Sequence, residues 1–240
     1  MKRKKMRDAI AMIELIFAIV IIGIVLMSTP MLVQTASRSG YVALQQEGIA
    51  AAASELGIIM TQGWDDNGDE NGTTDSPILK TLGDTQLEEN GNTGIRSGTP
   101  DSSFRKYITS TGGRKDATLA GNFATDGDYD DIDDFHNHTS ILHSESGAEA
   151  SFGDYVDNSI SMNTQVSYVK DTPTSGDYNT SETISLDDPF STAAPNATSN
   201  IKAIRITLTS TSGIEELNKT IVLNAFSCNI GTYDLEERNF

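Results

Sequence analysis

The sequence predicts an α+β chain, with one long N-terminal helix packed on an antiparallel β-sheet and long acidic loops between the strands. Three observations carry this reading. Residues 10–33 are apolar all round apart from Glu14, and residues 34–62 keep an apolar stripe on an otherwise polar helix. Clear period-2 alternation is confined to the later part of the chain, beyond a middle rich in Asp, Asn, Gly, Ser and Thr.

Residues 1–9 form a basic leader in which Lys2, Arg3, Lys4, Lys5 and Arg7 outnumber Asp8. The whole chain of 240 residues has a net charge of −17, so everything after the leader is strongly acidic. A basic start is retained on the cytoplasmic side of a membrane, which puts the acidic body on the other side. The same imbalance excludes nucleic acid as a partner, because phosphate binding needs clustered cations.

From Ile10 to Met27 the one charged residue is Glu14. A helix over those residues is ~27 Å long, and the apolar run to Val33 makes it long enough to cross a bilayer. No linker separates it from 34–62, where Val42, Ile49 and Leu56 recur every seventh residue with Ala52 and Ile59 between them. One continuous helix is therefore expected, kinked at Pro30 and softened at Gly40, Gly48 and Gly57.

Residues 63–240 read as a loop-rich β-sheet domain. "WDDNGDENGTTDSP", "EENGNTGIRSGTPDSS" and "ATDGDYDDIDDFHNHTS" are loops by composition. "SMNTQVSYVK", "IKAIRITLTS" and "NKTIVLNAFSC" are strands, with Ile204, Ile206 and Leu208 on one face and "TSGIEE" suited to a hairpin connection. "FRKYITS" is a weaker strand candidate. Cys228 is the single cysteine, so no intramolecular disulfide forms, and it is expected to be a small buried residue.

A carboxylate within an apolar helix costs roughly 2.5–3.5 kcal/mol near a bilayer centre, so Glu14 needs a partner. With the basic leader, "AMIELIFAIVIIGIVL", Gly23 and the amphipathic continuation, the N-terminus resembles the class III leader of type IV prepilins. The resemblance implies cleavage by prepilin peptidase after Ala9 and N-methylation of Ile10, which makes Glu14 the fifth residue of the mature chain. It further implies that Glu14 pairs with the α-amine of a neighbouring subunit during docking through an inner-membrane assembly platform. Ala9 stands where the family usually has Gly, Ile10 where it has Phe or Met, and Pro30 one position early. The implied location is a single pass of the inner membrane with a periplasmic C-terminal domain, extracellular once the pilus is assembled.

Two further motifs narrow the resemblance. Trp64, Asp65, Asp66 and Asn67 follow the helix, and Asp130, Asp131, Ile132, Asp133, Asp134, Phe135 and His136 occur midway. Both look like the acidic-aromatic motifs of MshD-like minor pilins of the mannose-sensitive haemagglutinin pilus, which implies a minor subunit that initiates or modifies a pilus.

The acidic runs also hold candidate Ca²⁺ ligands: Asp65, Asn67, Asp69 and Asn71 in one, Asp126, Asp128 and Asp130 in the other. Neither completes an EF-hand, since Asp131 occupies the glycine position, and Asn137 and Ile78 the positions of the closing Glu. His136, His138 and His143 form a small group without the spacing of a zinc site and read as loop histidines. Asn-x-Ser/Thr sequons occur at Asn71, Asn137, Asn179, Asn196 and Asn218, and an acid lies two residues before Asn71, Asn179 and Asn218, the candidate N-glycosylation sites. No catalytic triad, nucleotide loop or paired dyad is present, so no enzyme is expected. Two other readings stay open: a type II secretion pseudopilin, with the same N-terminus, and a calcium-dependent adhesive module at a filament tip, with the acidic loops as its ligand surface.

Overall fold

In a computed structural model of the chain, the structure describes residues 4–68, 77–88, 96, 99–100, 105, 115–125, 127–143, 159–188, 190, 197–210 and 217–231, with side chains from Ala11 onward. Helix α1 runs unbroken over Lys4–Ile59, through Pro30. Around the proline, which lacks an N–H, the Ser28 and Thr29 hydroxyls both donate to the Val25 carbonyl, at 3.0 and 2.8 Å. Its residues from Ala11 to Gly40 are all exposed, and the half beyond them packs on the sheet.

Four strands make one antiparallel sheet in the order β1 (Thr139–His143), β2 (Ser159–Tyr168), β3 (Ile201–Ser210) and β4 (Ile221–Cys228). Neighbours in sequence are neighbours in the sheet, with Thr164 opposite Ile206 and Ile206 opposite Leu223. The alternation read from the sequence holds in β2 and β3. Met162, Val166 and Tyr168 point inward with Ile204, Ile206 and Leu208, all buried. Burying one such aliphatic side chain contributes ~1.5–3 kcal/mol, so these two strands carry much of the core. β1 begins at Thr139 and Ser140, in the end of a stretch that reads as loop by composition, and the candidate strand near Phe104 lies, Arg105 apart, outside the described residues.

The helix meets the sheet through a face of small residues. Gly48, Ala52 and Ile59 are buried and Leu56 is half-buried, whereas Val42 and Ile49, expected in the stripe, are exposed. The reason is distance: a Cβ on Gly48 would lie 3.1 Å from Ile160 Cδ1 and 3.4 Å from Leu208 Cδ2, so the backbone itself contacts the sheet there. Glu55, from the same face, fastens the helix to the sheet. Its carboxylate accepts from Ser140 Oγ at 2.8 Å and Thr164 Oγ1 at 2.9 Å, and lies 3.4 Å from His138 Nδ1. That contact explains how Thr164 can be wholly buried on an inward position of β2.

Loops close the end of the sheet beyond the helix. The segment after α1 is zipped to the midway acidic run by Gly63 N–H donating to Asp130 O (3.2 Å) and Ile132 N–H donating to Gly63 O (3.0 Å). A second buried polar knot ties residue 79 to the strand ends. Leu79 exchanges two hydrogen bonds with the Asn229 amide, and Asp171 Oδ2 accepts from both Asn200 N and Asn200 Nδ2.

Candidate functional site

The two acidic-aromatic motifs, 66 positions apart between Asp65 and Asp131 in sequence, converge on a residue that neither contains. Lys202, next to the start of β3, lies on the inward face that carries Ile204, Ile206 and Leu208. Its side chain is wholly buried. Lys202 Nζ donates to Asp65 Oδ2 at 2.9 Å, to the Trp64 carbonyl at 2.7 Å, and to Asp133 Oδ1 in a still closer contact. The ammonium sits 4.3 Å from the Trp64 ring centre, 5.2 Å from that of Phe123 and 5.6 Å from that of Tyr168. Cation–π attraction strengthens when the cation is desolvated, reaching about 2 kcal/mol.

Each carboxylate around this lysine has its own support. Asp65 accepts from Thr118 N (3.0 Å) and Thr118 Oγ1 (2.9 Å), and from Asn67 N at 3.2 Å. The run Asp130–Asp134 caps itself: Asp131 Oδ1 accepts from Asp133 N (2.8 Å) and Asp134 N (3.2 Å), while Asp134 Oδ2 accepts from Asp130 N and Asp131 N. This pattern of side chains satisfying turn amides explains the density of aspartates here, and it sets the 3-10 turn Asp133–Phe135.

Burial pushes the Asp131 carboxyl up to about 9, with the Asp133 charge adding to the effect and Lys202 opposing it. Asp133 is also raised by burial, against the pull of Lys202. Asp131 Oδ2 is the one buried side-chain oxygen without a hydrogen-bond partner among the described residues. Burial also raises the Tyr168 phenol, which donates to the Thr118 carbonyl at 2.6 Å. A cleft of about 320 Å³ opens beside this cluster, lined in part by Asp66, Asn67, Asp116, Asp133 and Asp134.

The other candidate residues fall in varied places. Ala9 and Ile10 lie within α1, and Glu14 is exposed on it. Among the candidate Ca²⁺ residues, Asp69, Asn71 and Asp126 lie outside the described residues, and Asp128 and Asp130 are exposed. Asp65 is committed to Lys202 and Thr118, and Asn67 donates through Nδ2 to Thr118 Oγ1 at 3.0 Å. Among the described residues, no three His, Cys, Asp or Glu side chains are grouped to hold a metal ion. His136 Nδ1 accepts from Val166 N at 3.2 Å, whereas His138 faces Glu55. Asn179 and Asn218 are exposed, as is Asn137, which adopts a positive φ of 63°. The turn holding Asn179 is closed by Asp177, whose Oδ1 accepts from Asn179 N and Thr180 N. Cys228 is half-buried, and burial raises its thiol.

No family model, curated protein or solved structure matches the chain. Lys202 escaped the sequence reading although a signal was present: period-2 counting places it in register with Ile204, Ile206 and Leu208, where a lysine needs an anionic partner.

Proposed function

We propose that the chain is a minor pilin, a structural subunit matured by prepilin peptidase and inserted into a type IV filament through α1. One observation carries this reading. From Ala11 to Val33 every residue of α1 is exposed although the stretch is almost wholly apolar, and it lies in a helix long and apolar enough to cross a membrane. Such a surface needs lipid or other apolar helices around it, and a filament core supplies the second after the membrane supplies the first. The exposure of Val42 and Ile49 continues the uncovered surface toward the sheet domain. Glu14, fifth from the expected mature start at Ile10, then has its partner in the α-amine of a neighbouring subunit, and pairing offsets the cost of a charge in apolar surroundings. The partners are other pilin subunits, prepilin peptidase and an inner-membrane assembly platform. The chain starts as a single-pass inner-membrane protein with a periplasmic domain and becomes extracellular in the pilus.

Mass spectrometry of the mature N-terminus, in cells with and without prepilin peptidase, tests the reading. A chain beginning at N-methylated Ile10, found only with the peptidase, is expected. An intact Met1 in both strains would overturn it. The same helix would serve a type II secretion pseudopilin, and recovery of the chain in surface filaments sheared from cells separates the two.

A further inference from the structure

Lys202, Asp133, Asp65 and Asp131 form a set that does more than neutralise charge. We propose that Lys202 Nζ and Asp133 Cγ condense to an intramolecular amide, with Asp65 accepting a proton from the amine and Asp131 donating one to the departing oxygen. The bond would join β3 to the 3-10 turn Asp133–Phe135, across 69 positions of sequence.

Four observations point to this reaction. The reacting groups are already in contact, since Asp133 Oδ1 accepts directly from Lys202 Nζ. Fixing an amine beside a carboxyl carbon replaces a bimolecular encounter and is worth an effective concentration of roughly 10⁵–10⁸ M. The site is also dry: Lys202 is 0% exposed and Asp133 4%, under the rings of Trp64, Phe123 and Tyr168. Charges held out of water lose their hydration, and an amide carries no charge, so the dry site favours the condensed product over a buried pair of ions. The neutral amine is the nucleophile, and exclusion of water protects the product from hydrolysis.

The third observation separates the two carboxylates. Asp65 is held by Thr118 N, Thr118 Oγ1 and Asn67 N, which position it as a base 2.9 Å from Nζ. Among the described residues, Asp133 has no such set of backbone and hydroxyl donors and faces Lys202 and the Asp131 carboxyl, which leaves it as the electrophile. The fourth is Asp131, whose Oδ2 is buried without a hydrogen-bond partner among the described residues. An oxygen so placed is best protonated, and burial raises the Asp131 carboxyl in that direction.

The step balances without a co-reactant. The ammonium of Lys202 passes one proton to Asp65, and its nitrogen attacks Asp133 Cγ. Asp131 protonates one oxygen of the tetrahedral centre and recovers a proton from the nitrogen, and Asp65 returns its proton to the same oxygen. The C–O bond breaks and one water leaves. Of the three ammonium protons, one leaves in the water through Asp65, one replaces the proton that Asp131 gave to that water, and one stays on the amide.

The test is denaturing mass spectrometry on the full chain, extracted from membranes in detergent. The expected result is a mass lower by one water and, after proteolysis, a branched peptide joining the segments that carry Lys202 and Asp133. Asp131→Asn keeps the acceptor for the turn amides but has no acidic proton. It should slow formation of the branched peptide by about 100-fold, with the circular dichroism of the folded chain unchanged. A folded wild-type chain of full mass, with Lys202 modified by an amine reagent after denaturation, would overturn the proposal. So would loss of water without the branched peptide. A branched peptide formed equally fast in Asp131→Asn would remove Asp131 from its role.

Discussion

Lys202 Nζ lies 2.9 Å from Asp65 Oδ2 with both side chains wholly buried, and this pair joins the first residues after the helix to the inward face of β3. Because the lysine also contacts Asp133, removing its charge would leave two carboxylates facing each other in a dry site. Lys202→Met should therefore destabilise the domain by ~3–5 kcal/mol, the cost of breaking a buried pair from one side. The triple variant Lys202→Met, Asp65→Asn, Asp133→Asn should recover part of that loss. Urea unfolding of the detergent-extracted chains measures both, and equal stability of Lys202→Met and wild type would refute the structural role.

Asp131 gives the domain a pH dependence of definite sign. Its carboxyl titrates near 3.8 in an unfolded chain and at about 9 in the folded one. Between those values the folded chain holds a proton that the unfolded chain has released. Its contribution is therefore fully present below about pH 4 and is lost as pH rises through about 9. In a chain whose Lys202 and Asp133 have not condensed, Asp133, also raised, acts in the same sense. The melting temperature should fall between pH 5 and 9, by about 2–4 °C for each kcal/mol lost. Asp131→Asn should show a flatter profile, and parallel profiles for the two proteins would contradict the assignment.

Gly48 and Gly57 make a paired test of how α1 seats on the sheet. A Cβ at Gly48 would sit 3.1 Å from Ile160 Cδ1, whereas one at Gly57 meets nothing within 4 Å. Gly48→Leu should cost ~1–3 kcal/mol by overpacking. Gly57→Ala should stabilise by ~0.5–1 kcal/mol through helix propensity. Thermal melts that rank the two variants in the opposite order would show that the helix packs by another face.

For Glu14 the expected defect is in assembly. Glu14→Ala should leave the melting of the sheet domain unchanged, because the side chain is exposed on the part of α1 that projects from it. In the proposed filament, where Glu14 would pair with a neighbouring amine, removing the carboxylate should lower the amount of chain in sheared filaments by about tenfold, equivalent to ~1.4 kcal/mol. Immunoblots of filament and membrane fractions measure this, and undiminished incorporation would count against the pairing with a neighbouring amine.

Much of the sheet was legible in the sequence because period-2 alternation is strong where one face is buried. β2 and β3 appear where Val166, Tyr168, Ile204, Ile206 and Leu208 place them. β1 was not legible: "TSILH" is short, lies at the sheet edge and follows a run of Asp and Asn, so its pairing with β2 fixes it more than its own residues do. The helix was legible as an element but half-legible as a face. Counting apolar residues selects Ala52, Leu56 and Ile59, which pack on the sheet, but also Val42 and Ile49, which do not, and it passes over Gly48, whose smallness admits the sheet. The acidic motifs were visible as a pattern, but their convergence on Lys202 depends on long-range chain geometry that neither motif encodes alone.

The position of the Lys202 cluster has a mechanical consequence. α1 ends at Ile59, and Trp64 and Asp65 grip the lysine a few residues later, so no slack chain separates the two. A pull along α1 is delivered first to the grip of Trp64 and Asp65 on β3, an interior strand, and to the Gly63 backbone zipper beside it. Load entering there is shared between strands of the sheet from its interior. The edges, which would otherwise peel one hydrogen bond at a time, are spared the first strain.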